Sequence, residues 1–536
     1  MDFERVAVRP APAGGAWPPG WRRVLCHTHT HSGRADHGGP VRPPESYARL
    51  AAWCARLGID ALGMGSPYTP ASAVTYHRYD GPERDRYYAG EVDRIAALDQ
   101  AEIAAMLAGA NAAGGGRTLF YLDNETPKGR YGHLWWVGYR QAAPAWHDYD
   151  QPYDRWMLER AGAGELEDEP MPYERRPYLA VLAEQRAGGA LGVWAHPTSW
   201  WPGERGQFVT NIAAEMPAHA LAMGGLDGLA IMGYQPHRPE YLAIWFELLD
   251  RGLRVPGVAE MDVGLSDPSL WDRESALLTH ALAPGSCTVE AIAAALSAGR
   301  VFAGSGPFVD IAVDGRATGS AAPTSRAAIH RILLTALPRP GGGPLDRVEL
   351  IGRGGRVLWS EDDFAGGAIE LRTAGLAERG YLVARVLASR PARCGWREPS
   401  QVAVTGPVYL HPPGAGFEPP ARTRVTLCVD SASPFAGGEA RFEAMDGALL
   451  GRAAARPGEI VETLPASGRL TLTAPDGRRR TDYLMNANPA LLDAERYLYR
   501  GRFLADFPSA RPGEVPAAAW RLDAFARALS QVRLDR

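Results

Sequence analysis

The first 310 residues alternate short apolar runs with helical stretches, and this alternation limits the possible folds more than any other feature. Seven apolar runs end in polar residues: RVLCHTHTH, IDALGMGS, TLFYLDNE, HLWWVGY, ALGVWAHP, LDGLAIMG and VPGVAEMD. Helical patterns that close on glycine lie between several of them. Continuous apolar strands alternating with helices are typical of a parallel α/β architecture. Because there are seven such strands, we expect an α/β barrel rather than an open sheet, with the carboxyl ends of the strands converging on one face.

The pattern changes after residue 310. From 311 to 413, alternating segments punctuated by glycine and proline predict an antiparallel β-sandwich. The stretch HPPGAGFEPPART is typical of a linker, and the segments after it predict a small second β-rich module. This module would end in an amphipathic helix, AAAWRLDAFARALSQV. We therefore predict three domains: a barrel (1–310), a β-sandwich (311–413) and a C-terminal β-rich module with a terminal helix (421–536).

Composition excludes several classes of partner. Lys and Arg number 57 against 61 Asp and Glu, so no basic excess indicates nucleic acid. No apolar run reaches the roughly 18 residues of a membrane span, and the N-terminus has no apolar core typical of a signal peptide. The five cysteines are scattered and contain no CxxC, which favours a reducing compartment without a thiolate zinc site. We expect a cytoplasmic protein that binds neither nucleic acid nor membrane.

Four of the thirteen histidines fall within eleven residues, directly after an apolar strand. In an extended strand, His27, His29 and His31 would point to the same side. Two of them could then bind one metal ion while the rest of the strand stays buried. The position of the cluster, after a strand of core character, favours a metal site.

Other strand ends supply the ligands that an HxH pair lacks. Glu125 closes TLFYLDNE, His133 opens HLWWVGY, His196 closes ALGVWAHP and Asp262 closes VPGVAEMD. Neutral imidazoles and carboxylates suit Zn²⁺, Mn²⁺ or Fe²⁺, and the absence of nearby thiolates argues against a purely structural zinc.

The order of these motifs resembles a known superfamily. HTHTHSG, GIDALGMGSP, NETPKGRYGHLWWVG, WAHP and GVAEMDVG together are similar to the PHP (polymerase and histidinol phosphatase) superfamily. The segment AIAAALSAGRVFAGSGPFVDIAVDG, followed by strands that end in TGPVYL, resembles its CehA/McbA-like metallohydrolase branch. The resemblance covers roughly residues 22–411. It implies a distorted (β/α)7 PHP-type barrel followed by the β-sandwich.

The resemblance also implies a centre with two divalent metal ions. The first ion would be held by His27, His29, Glu125 and Asp262. The second would be held by His133 and His196, with Glu125 bridging the two. The family's third site is lost in this interpretation, because Gly65-Ser66-Pro67 and Gly264 replace its usual ligands and leave Asp36 and His37 as remaining candidates.

Such a centre predicts a metal-dependent hydrolase that uses a metal-activated water on a small ester, carbamate or phosphoester. No serine or cysteine nucleophile is needed, and the chain contains no GxSxG motif. Side chains near the same strand ends are candidates for contact with a small-molecule substrate: His37, Tyr68, Tyr234 and His237.

Two other functions stay open. An amidohydrolase-type hydrolase also begins with HxH on its first strand, although only Lys128 could supply the bridging lysine of that class. The third possibility is a non-catalytic protein that keeps the fold as a scaffold and binds a carbohydrate or a partner. The lost third-site ligands favour this last alternative, and the six retained positions oppose it.

Overall fold

The computed structural model describes most of the first 485 residues and a short segment near the end of the chain, in separate stretches. These are 2–11, 17–29, 45–65, 100–126, 134–138, 185–197, 200–202, 208–210, 226–233, 239–250, 252–265, 276–340, 342–376, 380–388, 401–417, 422–429, 435–443, 448–456, 458–465, 467–477, 479–485 and 532–534. The terminal helix predicted in AAAWRLDAFARALSQV lies outside them apart from its last residue, Val532, which belongs to a strand.

The described helices all belong to the first 310 residues, apart from one turn of 3₁₀-helix at Arg353–Gly355. They are α1 (Glu45–Leu57), α2 (Gln100–Gly114), α3 (Pro239–Asp250) and α4 (Val289–Ser297). Helix α4 shows why these bounds fall where they do. The Thr288 hydroxyl accepts the Ala291 N–H at 3.2 Å, which satisfies one of the backbone donors left without a partner at a helix start. No helix in the described part of the chain is long and apolar enough to cross a membrane.

The first section also contains strands, most of them of five residues or fewer. In chain order they are β1 (Phe3–Pro10), β2 (Trp21–Leu25), β3 (Thr28–His29), β4 (Ala61–Met64), β5 (Leu119–Thr126), β6 (Leu134–Val137), β7 (Leu191–Trp194), β8 (Trp200–Pro202), β9 (Phe208–Thr210), β10 (Gly228–Met232), β11 (Gly257–Ala259), β12 (Val263–Gly264), β13 (Leu278–Leu282) and β14 (Val301–Gly304).

The second and third sections consist of strands, joined in the described residues by turns and irregular segments. In the second section they are β15 (Phe308–Val313), β16 (Arg316–Ala317), β17 (Ala321–Pro323), β18 (Ile329–Leu337), β19 (Leu345–Gly352), β20 (Arg356–Phe364), β21 (Gly367–Ala374), β22 (Gly380–Ala388), β23 (Gln401–Thr405) and β24 (Val408–His411). In the third they are β25 (Arg422–Val429), β26 (Gly438–Glu443), β27 (Leu449–Ala455), β28 (Gly458–Pro465), β29 (Ser467–Thr473), β30 (Arg479–Met485) and β31 (Val532–Leu534).

One large mixed sheet carries most of the strands of the first section. Its order is β11-β10-β7-β6-β5-β4-β2-β13-β14-β23-β22-β19-β20. Strands β2, β4 and β5 are parallel neighbours, and so are β7, β10 and β11. From β2 onwards the sheet continues through antiparallel pairs into strands of the second section.

The predicted (β/α)7 barrel is therefore wrong. Among the described residues, those in strands outnumber those in helices by more than two to one, and β6 runs antiparallel to both of its neighbours, β5 and β7. The reason lies in a short connection. Residues 127–133 separate β5 from β6, whereas a parallel crossover with a helix needs roughly a dozen residues, so β6 folds back along β5. The apolar run HLWWVGY contains the strand β6, as predicted, but the direction of this strand breaks the parallel pattern.

Strands of the second section form two layers. The sheet β1-β21-β18-β15-β16 packs against β19, β22 and β23 of the large sheet across an apolar core that includes Phe308, Leu334, Leu371, Val348 and Val386. Strand β1, from the N-terminal end of the sequence, pairs with β21 of this section: Phe3 lies opposite Thr373 and Pro10 opposite Gly367. The third section contains two further antiparallel sheets, β28-β25-β31 and β27-β26-β29-β30. The division into three domains stays a prediction.

A buried histidine lies where the two sections meet. His280 in β13 pairs with Arg23 of β2 and Phe302 of β14, and its ring stacks on Phe302 with ring centroids 4.1 Å apart. Within the described residues neither ring nitrogen has a hydrogen-bond partner. Burial, helped by the charge of Arg23, holds the pKa of His280 well below its ordinary value of 6.5. The folded protein therefore contains a neutral imidazole at this position.

We expect His280→Phe to make the free energy of unfolding less sensitive to acid. In the unfolded chain His280 takes up a proton below about pH 6.5, whereas in the folded protein its pKa is lower. Wild-type stability should therefore fall as the pH falls through this window, by up to about 1.4 kcal/mol per pH unit from this group. Chemical denaturation of both proteins at pH 7, 6 and 5 measures the difference, in which the other titrating groups cancel. A variant-to-wild-type difference that does not change with pH would contradict the prediction.

Candidate metal centre

The first two histidines are held by a bend in the chain after β2. His27 has a positive φ of 54°, and β3 then begins at Thr28. The expectation that His27 and His29 lie on one extended strand is therefore wrong for His27. Its backbone adopts the left-handed conformation, which residues other than glycine seldom adopt. His31 lies outside the described residues.

A second segment runs alongside this bend and brings in a carboxylate. The N–H of Met261 donates to Cys26 O at 3.2 Å, and the N–H of Asp262 donates to His27 O at 2.9 Å. Strand β12 then pairs in parallel with β3. Backbone hydrogen bonds thus place Asp262 beside both histidines, although more than 230 residues separate them in the sequence.

Left-handed backbone is concentrated at this site. Five non-glycine residues of the described chain have a positive φ, and three of them are His27, His196 and Asp262. Each follows the end of a strand by two or three residues: β2, β7 and β11 respectively. Such conformations cost roughly 1–3 kcal/mol each and persist where the surrounding contacts enforce them, often at functional sites.

The side chains of His27, His29, Glu125, His196 and Asp262 converge on one point. Carboxylate oxygens lie close to all three histidine Nε2 atoms: Glu125 Oε1 at 2.8 Å from His196 and 3.3 Å from His27, and Asp262 Oδ1 at 2.8 Å from His29 and 3.5 Å from His27. Two sets of three donors, His27-His29-Glu125 and His27-His196-Asp262, each have their ligand atoms within 4.8 Å of one another. The structure thus contains buried His, Glu and Asp groups that could hold a metal ion.

All five residues are buried, with relative exposures between 1% and 7%. Burial by itself lowers the pKa of His27, but the charges of Asp262, Glu125 and Glu260 outweigh it and raise that pKa well above its ordinary value. Burial also lowers the pKa of His196. The hydrogen bond to Glu125 and the charge of Asp262 outweigh this effect, so the pKa is raised. For Asp262 burial would raise the pKa, but His27, His29 and His196 hold it well below its ordinary value. All three shifts have the same cause, the close approach of imidazoles and carboxylates in a buried place.

Sequence reasoning missed two carboxylates that support the cluster. Glu260 is fully buried, and its oxygens accept hydrogen bonds from His27 Nδ1 at 2.7 Å and from the His196 N–H at 2.6 Å. Asp123 is also fully buried and accepts the His27 backbone N–H at 3.3 Å. Each lies two residues before a predicted ligand, in LDNE and AEMD. This two-residue spacing, which places side chains on one side of a strand, could have indicated both.

Asp123 lies in a space that two glycines leave open. A Cβ atom at Gly63 would overlap the Asp123 carboxylate, and one at Gly65 would overlap the same carboxylate and the Thr28 carbonyl oxygen. Burial raises the pKa of Asp123 to about 7, against the opposing charge of His27. Gly65 was interpreted from the sequence as a lost third-site position. Its packing against Asp123 is a local reason for glycine there.

Several predicted residues lie outside the described part of the chain. They are the metal ligand His133, the third-site candidates Asp36 and His37, the neighbours Ser66 and Pro67, and the substrate-side candidates Tyr68, Tyr234 and His237. The structure thus brings together five of the six predicted ligands, and the roles of all these residues stay predictions.

Comparisons with known proteins do not indicate a function for this chain. No family model matches the chain, and no curated protein matches it. Among solved structures, the major pilin subunit BcpA of Bacillus cereus and a variant of it match at 13% and 12% identity, each with a TM-score of 0.14. Each match covers 34% of this chain and 65% of the pilin chain. At this TM-score the likeness carries no argument about fold or function, and the resemblance to the PHP superfamily stays a prediction.

Proposed function

We propose that this chain is a metal-dependent hydrolase acting on a small ester, carbamate or phosphoester. The observation that carries the proposal is the convergence of three imidazoles and two carboxylates on one buried point. Such residues are expensive to bury together unless their charges are matched. Asp123 and Glu260 add two more buried carboxylates directly behind the ligands. One or two divalent cations would balance this negative charge.

The residues fit a divalent metal in two respects. The donor set is mixed nitrogen and oxygen, which suits Zn²⁺, Mn²⁺ or Fe²⁺. In addition, the buried Nε2 of His27 has no hydrogen-bond partner among the described residues, while its Nδ1 is bonded to Glu260. This nitrogen is buried, faces two carboxylates and makes no well-formed hydrogen bond, which is the position expected of a metal ligand.

We propose that the centre binds two ions and that Glu125 would be a ligand of both. Glu125 Oε1 lies 2.8 Å from His196 Nε2, and its Oε2 lies 3.7 Å from His29 Nε2. Asp262 spans the same two histidines, with Oδ1 2.8 Å from His29 and Oδ2 3.9 Å from His196. Each carboxylate therefore has one oxygen for each side of the cluster, as a bridging ligand requires.

A bound divalent ion supplies Lewis acidity, which activates water and stabilises negative charge at the reacting centre. The chain's own contribution is to hold the ligands rigidly in a water-poor setting. Trp135 lies parallel to the His27 ring at 6.2 Å between ring centroids, and the backbone bonds of Asp262 fix its position beside His27. A cytoplasmic location belongs to the same proposal, since Cys26, Cys54 and Cys287 are free thiols.

The test is a substrate screen on metal-reconstituted protein. Phosphate mono- and diesters, carboxyl esters and aryl carbamates of p-nitrophenol or related phenols cover the proposed substrate classes. We expect turnover of at least one class that depends on added Zn²⁺, Mn²⁺ or Fe²⁺ and is lost in Glu125→Gln. Asp227→Asn is the matched control, because Asp227 bonds the Gly192 N–H at the opposite end of β7 from His196. No metal binding would refute the hydrolase and favour the non-catalytic binding protein, and metal binding without turnover of any class would contradict the proposed activity.

We expect the purified, metal-saturated protein to carry two divalent ions per chain. The prediction follows from the ligands that the sequence retains for two sites and from Gly264, which lacks a donor side chain at a position of the third. Elemental analysis after removal of loosely bound metal gives the stoichiometry. Three tightly held ions would show that the interpretation of the third site is wrong.

A further inference from the structure

Glu260 is held in a fixed place behind the ligand cluster. It follows β11, and its N–H donates to Met232 O of β10 at 2.9 Å, so the chain continues along the neighbouring strand. Gly233, which follows β10, leaves the room for its side chain. A Cβ at Gly233 would lie 3.0 Å from Glu260 Oε1 and 3.1 Å from its Cγ, tighter than nearly all real contacts.

The two oxygens of Glu260 serve two different ligands. Oε2 accepts the hydrogen bond from His27 Nδ1 at 2.7 Å, and Oε1 accepts the backbone N–H of His196 at 2.6 Å. A carboxylate can only accept, so His27 must carry its hydrogen on Nδ1. In the neutral form of this ring, Nε2, which faces Glu125 and Asp262, is the nitrogen that would bind a metal ion. His196, whose φ is 25°, is held in its left-handed conformation partly by the second bond.

We propose that Glu260 is a positioning residue of the metal centre, which fixes the ring tautomer of His27 and the backbone of His196 together. The inference rests on the proposed function in that it concerns the same centre. Glu260 itself does not contact the ligand-facing Nε2 atoms in the described contacts. It acts through His27 and His196, as carboxylates behind metal-binding histidines do.

Glu260→Gln is the sharpest variant, because it keeps the volume and removes one acceptor. If the amide oxygen accepts the His196 N–H, the NH₂ group faces His27 Nδ1 and favours the tautomer with hydrogen on Nε2, which cannot bind metal. If the amide is reversed, the His196 N–H loses its acceptor. In either orientation one of the two bonds is lost.

The primary measurement is Zn²⁺ affinity by competition with a chelator, on full-length protein. We expect Glu260→Gln to lose 10- to 100-fold in affinity, the range typical of such supporting partners. Asp227→Asn is the matched control, since it removes another carboxylate that accepts a backbone N–H of β7 without touching a histidine of the cluster. A loss in Glu260→Gln no larger than that in Asp227→Asn would overturn the inference.

A second readout separates positioning from a merely structural role. In the Zn²⁺-loaded wild type, ¹H–¹⁵N spectra of histidine rings should show a protonated Nδ1 at His27, identified by its loss in His27→Ala. Glu260→Gln should lose or shift that signal, and an unchanged signal would overturn the inference. Should Glu260→Gln fail to fold, Glu260→Asp keeps the acceptor on a shorter arm and should give an intermediate loss of affinity; full wild-type affinity there would also overturn it. Absence of Zn²⁺ binding by the wild type would instead refute the proposed function.

Discussion

Glu125→Ala should abolish metal binding almost completely. Glu125 faces all three histidines of the cluster, at 2.8 Å from His196, 3.3 Å from His27 and 3.7 Å from His29, and makes closer contacts to His27 and His196 than Asp262 does. Loss of an outer partner of a ligand already costs 10- to 100-fold in affinity, so loss of a bridging ligand should cost more than about 100-fold. Elemental analysis after dialysis against metal-free buffer measures the retained ions.

His196→Ala is the matched comparison for the bridging role. His196 is proposed to bind only the second ion, so its loss should weaken that ion and leave the first in place. Thermal unfolding of both variants without metal shows whether they fold to the same extent. If Glu125→Ala and His196→Ala retained equal amounts of metal, the bridging assignment of Glu125 would be wrong.

Gly63→Ala should be among the most destabilising small substitutions in the chain. Its Cβ would overlap the buried Asp123 carboxylate, which is held against the His27 backbone N–H at 3.3 Å. Overpacking of this kind typically costs about 1–3 kcal/mol, occasionally more. Because Asp123 would have to move, His27 should be displaced as well, and metal affinity should fall with stability. Chemical denaturation and Zn²⁺ competition on the same protein measure both effects.

A double-mutant cycle identifies the cause of this cost. In the Asp123→Ala background the overlap at Gly63 is removed, so Gly63→Ala should cost far less there than in the wild type. Gly65→Ala is the contrasting variant. Its Cβ would also overlap the Thr28 carbonyl oxygen of the backbone, so Asp123→Ala should relieve it less. Equal costs of Gly63→Ala in both backgrounds would contradict the proposed overlap.

The sequence predicts the parts of the site that depend on strand ends. Glu125 terminates an apolar run within β5, and His196 and Asp262 follow β7 and β11 by two or three residues, which is where the pattern of apolar runs ending in polar residues places them. Strands β5, β7 and β11 run in the same direction in the sheet, so their ends lie at one edge and these residues converge there.

The direction of β6 and the strand order of the large sheet could not be predicted from the apolar runs. An apolar run of four to eight residues looks the same in a parallel and in an antiparallel strand. What decides the direction of β6 is the seven-residue connection after β5, and what extends the sheet is long-range pairing, such as Phe302 in β14 with Thr405 in β23. Such pairings are tertiary and have no local signature.

The supporting residues were missed for a different reason. Glu260 and Asp123 have no motif of their own, and a buried carboxylate in a strand end is by itself more often a structural partner. Their importance comes from the left-handed bend at His27, which turns its Nδ1 toward Glu260. The apolar pattern of the strand predicts extended backbone at His27, and extended backbone would not direct its ring toward Glu260 in this way.

Anomalous diffraction from crystals of metal-reconstituted protein tests the central claim most directly. Data collected above and below the absorption edge of the added Zn²⁺ locate the ions without reference to activity. We predict anomalous density within about 2.0–2.2 Å of His27 Nε2 and of Glu125 and Asp262 oxygens, with a second peak on the His196 side of Glu125. Strong peaks only at other positions, or none at this cluster in protein saturated with Zn²⁺, would contradict the assignment of these residues as a metal centre.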